Sequence, residues 1–137
     1  MNRSLVLDTN ILVSAGIHLD RPPGLLVQAI LFREVAFFTC PGVVAEYWEV
    51  LTRPKFARLD FPPAWFQPLL DEAHQQATDP DVWPLAGPDP DDLIFLALAR
   101  RTGALLVTGN LADFPQDIRQ GVEVLGPREY LDQLAQR

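Results

Sequence analysis

Residues 4–7 and 104–108 are short apolar runs with little alternation. A strand with one face in water alternates with period two, so runs like these belong to strands covered on both faces. Residues 35–39 and 122–125 read as two more short strands. Helical spacing fills the intervals. It runs from about Ile11 to Ala15, then over 25–33, opened by Pro22-Pro23-Gly24 with Leu26, Ala29 and Ile30 on one face. Pro41 begins a helix that Pro54 stops after residue 53, and Pro62-Pro63 begins one expected to reach residue 77. Asp89-Pro90-Asp91-Asp92 opens a helix to residue 101 closed by Gly103, and a last helix covers 127–136. Val82-Trp83-Pro84 suits either an edge strand or a loop. Strands alternating with helices predict an α/β fold with a central parallel sheet covered on both faces. Such sheets bind ligands beyond the carboxyl ends of their strands, and Asp8 and Asn110 lie just past two of those ends.

With 137 residues, 48% of them hydrophobic, the chain is expected to fold as one domain over residues 1–137. Its longest apolar stretches fall far short of a membrane span. Met1-Asn2-Arg3-Ser4 runs directly into a segment that ends in an acid, which argues against a signal peptide and for a cytoplasmic location. The lone Cys40 excludes an intrachain disulfide, and no Cys/His spacing suggests zinc. A net charge of −7 opposes simple nucleic-acid binding, since phosphates are met by clustered Lys and Arg. The local basic groups are Arg53/Lys55/Arg58 and Arg100/Arg101.

The acids are more telling. Asp8 ends the first strand and is followed by Thr9 and Asn10; it serves either as a helix cap or as a carboxylate at the ligand edge. Glu46 borders the buried stripe of its helix, between Val43, Tyr47, Val50 and Leu51, where an acid is costly unless something positive meets it. It points either to solvent or Arg53, or to a metal. Asp89 suits a cap and Asp91 solvent, which leaves Asp92 as the ligand candidate of that trio. Thr108-Gly109-Asn110-Leu111-Ala112-Asp113 leaves a later strand. His18 and His74 are isolated, the three tryptophans suit packing, and no glycine-rich phosphate loop occurs. Acids at corresponding points of a parallel sheet are hard oxygen ligands suited to Mg²⁺ or Mn²⁺. One or two such ions could orient a water for in-line attack on a phosphodiester without a histidine base.

This pattern resembles the PIN-domain family. The likeness rests on Leu7-Asp8-Thr9-Asn10-Ile11-Leu12, Val44-Ala45-Glu46-Tyr47, Asp92-Leu93-Ile94-Phe95-Leu96-Ala97 and the Thr108-to-Asp113 turn, in that order over the whole chain. Residues 49–56, Glu-Val-Leu-Thr-Arg-Pro-Lys-Phe, are similar to the branch described as toxins of toxin–antitoxin pairs. The resemblance implies a PIN-like three-layer α/β/α sandwich and an endoribonuclease acting on single-stranded or structured RNA. Relatives are often dimeric and often inhibited by a cognate antitoxin protein. Asp8, Glu46 and Asp92 match the metal-binding acids. Asn110 stands where many relatives have Asp, with Asp113 three residues on, so the fourth position is open between the two. Substrate contacts are expected from Thr9, Asn10, Arg53, Lys55 and Thr108. A phosphate monoester hydrolase or a phosphoacceptor would need an Asp at the place of Asn10 and a Lys after Lys55, and has neither. A PIN scaffold that binds RNA or a protein without cutting is the non-enzymatic alternative.

Overall fold

The computed structural model of the protein describes residues 2–136. Five strands, β1 (Ser4–Leu7), β2 (Ala36–Thr39), β3 (His74–Gln75), β4 (Leu105–Val107) and β5 (Val124–Leu125), form an all-parallel sheet in the order β3-β2-β1-β4-β5. β1 is central, with Leu5 opposite both Phe37 and Leu105, and its Leu5, Val6 and Leu7 are fully buried. That is the environment its unbroken apolar sequence demands.

The connections are α1 (Thr9–Ile17), α2 (Pro22–Leu31), α3 (Pro41–Leu51), α4 (Phe66–Glu72), α5 (Leu93–Thr102) and α6 (Pro127–Ala135). α5 lies across β1, β2 and β4; α1 packs on α2, which also meets α4 and α6. α3 touches both α1 and α5. Proline opens α2, α3 and α6, where its missing N–H breaks no helical bond. Gly103 ends α5 in the left-handed region, φ 74°, as a residue without a Cβ can.

Two expectations change. The helix expected to reach residue 77 ends at Glu72, because its buried positions Phe66, Leu69 and Leu70 run out. The chain then turns extended as β3, with His74 opposite Phe38 and the Gln76 N–H donating to the Thr39 carbonyl at 2.8 Å. β3 is therefore one edge of the sheet, opposite β5 at the other. Residues 82–84 are a loop, pinned where the Trp83 indole N–H donates to the Ile118 carbonyl at 2.8 Å beneath the Arg100 guanidinium. Smaller shifts occur at helix ends: α2 stops before Arg33, whose φ is 61°, and α3 stops before Arg53, which is extended ahead of Pro54. Residues Pro90–Asp92 form a 3-10 turn that leads into α5. Among the described residues no helix is long and apolar enough to cross a membrane.

Candidate active site

Because every strand is parallel, β1, β2 and β4 deliver Asp8, Cys40 and Thr108 to one edge of the sheet. Asp8 has extended backbone (φ −64°, ψ 146°) and starts α1, yet its side chain makes no capping bond there. It is only 4% exposed. Its Oδ2 accepts from the Thr108 hydroxyl at 2.8 Å and from the Asn10 amide at 3.2 Å. Asn10 is itself held, since its Oδ1 accepts the Gly109 N–H at 3.0 Å. The Thr108 hydroxyl also accepts the Asn110 N–H at 3.0 Å. Residues just past β1 and β4 thus form one connected lattice around a buried carboxylate.

Burial raises the pKa of Asp8, against the pull of the Thr108 hydroxyl and of the Asn10 and Thr9 backbone N–H groups, which face the carboxylate without closing a capping bond, and the charge of Asp113 adds to the rise. Asp92, at the start of α5, is pushed from 3.8 to about 7, first by burial and then by the charges of Asp8, Asp89 and Asp113. Glu46, half-buried on α3, is also raised by burial, then by Glu49, Asp91 and Asp8, while Arg53 lowers it. Asp8, Asp92 and Asp113 therefore lie within one another's electrostatic reach, and Glu46 joins them through Asp8 alone. Asp89 caps the 3-10 turn by accepting the Asp91 N–H at 3.0 Å, and Asp91 is exposed, as their sequence positions suggested.

At the fourth position the structure separates two roles. The Asn110 side-chain amide donates to Asp113 Oδ2 at 2.9 Å, and Asp113 is the acid that meets Asp92. The expected substrate contacts divide as well. Thr9, Asn10 and Thr108 lie at the site. Arg53 is instead clamped by Glu49 at 2.7 Å, so the suspected Glu46–Arg53 pair does not form. Lys55 is exposed, over the Phe56 ring at 5.1 Å, and neither cation touches the acids. His18 and His74 are exposed, and Trp83 is buried in the core.

Sequence reasoning passed over two residues here. Asp79 accepts the Gly42 N–H at 2.7 Å and caps α3 from a distant loop, which no local pattern announces. The sequence marks Tyr47 only as part of a buried stripe. Its hydroxyl, which a buried tyrosine must partner, donates to the Leu7 carbonyl at 2.6 Å, one residue before Asp8.

The PIN domain matches residues 4–112 of this chain. The chain belongs to the PIN-domain family. A solved structure agrees in fold: the crystal structure of PAE2754 from Pyrobaculum aerophilum superposes with a TM-score of 0.59 at 18% identity, covering 98% of this chain and 90% of that one. No curated protein matches the chain. PIN domains are generally nucleases that use divalent metal ions, and the donor set at this PIN domain's sheet edge suits such an ion in chemistry. Among the described residues no group of three or more His, Cys, Asp or Glu side chains is arranged to hold a metal ion as it stands. An open set of carboxylates fits a hydrated hard cation, which keeps several waters and takes few protein ligands, better than zinc, which wants nitrogen or sulfur. The buried Thr9 hydroxyl, next in the chain to Asp8, lacks a partner and adds an oxygen that water can satisfy.

Proposed function

We propose that this PIN domain is a Mg²⁺- or Mn²⁺-dependent endoribonuclease acting as the toxin of a toxin–antitoxin pair in the cytoplasm. One observation carries the catalytic part. The buried Asp8 carboxylate repels Asp92 across a sheet edge where a parallel α/β fold binds its ligands. A bound divalent ion would supply the missing positive charge and lower the pKa of a coordinated water. Asp8, Glu46, Asp92 and Asp113 are the residues that would hold it. Asn10 and Thr108 fix the rotamer of Asp8, and Asn110 aims Asp113. Arg53 and Lys55, on the segment leaving α3, would meet the RNA backbone rather than its bases. The toxin role, the cognate antitoxin and a homodimer rest on the likeness of residues 49–56 to that branch.

RNA cleavage tests the reading. Activity should vanish in EDTA, return with Mg²⁺ or Mn²⁺, and fall at least ~100-fold in Asp8→Asn, about 3 kcal/mol of transition-state stabilisation. Undiminished cleavage in EDTA would sink it. The lack, among the described residues, of a three-residue group arranged to hold a metal and the neutral Asn110 favour one second reading, a PIN scaffold that binds RNA or a protein without cutting. A protein that retains RNA at every metal concentration and cleaves none would establish that reading. A small upstream reading frame with a DNA-binding pattern would separate toxin from housekeeping nuclease.

A further inference from the structure

We infer that Tyr47 is the positioning residue of the acid cluster, a single side chain that ties together the three elements carrying Asp8, Glu46 and Asp92. The inference rests on the metal-site reading above. Tyr47 is fully buried in α3, directly after Glu46. Its hydroxyl donates to the Leu7 carbonyl at 2.6 Å, and Leu7 is the last residue of β1, directly before Asp8. Its ring stacks on Phe95 with centroids 6.3 Å apart and planes at 23°. Phe95 lies on α5, one turn beyond Asp92. The same ring stacks on Phe37 of β2 at 6.4 Å and meets the Phe66 edge of α4 at 6.3 Å. One side chain thus sets the spacing of α3 from the end of β1 through a hydrogen bond, and from the start of α5 through a ring contact.

A purely structural role does not account for the hydroxyl. Phenylalanine would fill the same aromatic cluster, and a buried hydroxyl must win back its lost hydration through the bond it makes. What the hydroxyl adds is direction, a fixed point on β1 one residue from Asp8. Ligands of a cation that demands near-ideal geometry are sensitive to such placement, whereas the core around them is not.

Calorimetric titration with Mn²⁺ on the full chain tests this apart from activity. Wild type should bind Mn²⁺ and Asp8→Asn should not. Tyr47→Phe, which keeps the ring, should fold cooperatively yet bind Mn²⁺ about tenfold more weakly, the scale at which residues behind a metal ligand act. Its RNA cleavage should lose kcat with KM changed less than about twofold. Ile30→Val, a trim of the core in α2 away from the acids, should leave Mn²⁺ affinity unchanged. If Tyr47→Phe binds Mn²⁺ like wild type, or if Ile30→Val weakens it equally, Tyr47 does not position the site. If wild type binds no Mn²⁺, the metal-site reading falls and this inference falls with it.

Discussion

Replacing Asp92 with Asn should stabilise the metal-free protein above neutral pH while destroying its response to metal. Asp92 carries a pKa of about 7 in the folded chain against an ordinary 3.8. Between those values the folded state holds a proton that the unfolded chain releases, so stability falls as pH rises and the loss is complete above about pH 7. Taken at face value, a shift of ~3 units at 1.36 kcal/mol each is ~4 kcal/mol. The carboxylate is partly open to solvent, and screening reduces this to about 1–2 kcal/mol. A favourable helix-end term of ~0.3–1 kcal/mol, lost with the charge, opposes it without cancelling it. No capping hydrogen bond is lost, because the Asp92 side chain makes none. In EDTA at pH 8 the variant should therefore melt ~2–6 °C above wild type for a domain of this size. At pH 4 the gap should close. Adding Mn²⁺ should raise the wild-type melting temperature and leave the variant's in place. A variant no more stable than wild type at pH 8, or a gap that does not change with pH, would refute the reasoning. Asp8 is coupled to Asp92, so the midpoint of the pH curve belongs to the pair.

Thr108→Val removes the 2.8 Å donor to Asp8 and the acceptor for the Asn110 N–H, and should cost about 1–3 kcal/mol in urea unfolding. Asn110→Asp exchanges a donor for a like charge beside Asp113, where the two side chains now meet at 2.9 Å. Its melting temperature in EDTA at pH 8 should fall below wild type, with a larger gain on adding Mn²⁺; an unchanged value would leave the Asn110–Asp113 bond without consequence. Gly42→Ala would bring a Cβ to 2.6 Å from Ile94 Cδ1 and 2.9 Å from Asp79 Oδ2, both side-chain ends that can swing aside, so urea unfolding should show at most the loss of the Asp79 cap on α3, about 0.5–2 kcal/mol.

The elements nearest the site were the most legible in the sequence. β1 and β4 announce themselves because a doubly covered strand has no polar face, and the residue after such a run lies at the ligand edge by construction. β3 was not legible. It has two residues, both exposed, and it exists because Phe38 and Thr39 offer it a free ladder edge, a condition set by tertiary contact and not by local pattern. The cap on α3 was hidden for the same reason: Asp79 and Gly42 are far apart in the chain and meet only once α3 has docked. Within the site, residue types were readable but pairings were not. The sequence leaves the fourth position open between the neutral Asn110 and the charged Asp113, and only the fold shows one donating to the other.

The net charge of −7 takes on a different meaning once the cations are located. Arg33 is tied to Glu72 at 2.9 Å and Arg53 to Glu49 at 2.7 Å. Arg100 sits over Trp83 and donates to Gln120, Arg101 donates to the Thr78 carbonyl, and Arg119 donates to the Phe114 carbonyl. These side chains hold helix ends and loops in place. Of the cations among the described residues, Arg53 alone figures among the main influences on Asp8, Glu46 and Asp92, and it acts on Glu46 while clamped elsewhere. Had the acids at the sheet edge served stability, an arginine nearby would have been the simplest neutraliser, as it is for Glu49 and Glu72. The chain instead keeps several carboxylates close together and raised in pKa, an arrangement that is unfavourable alone and favourable with a divalent ion. An acidic surface also opposes RNA binding except where that charge is reversed. The same ion would therefore set both where the polyanion can approach and where its backbone is cut.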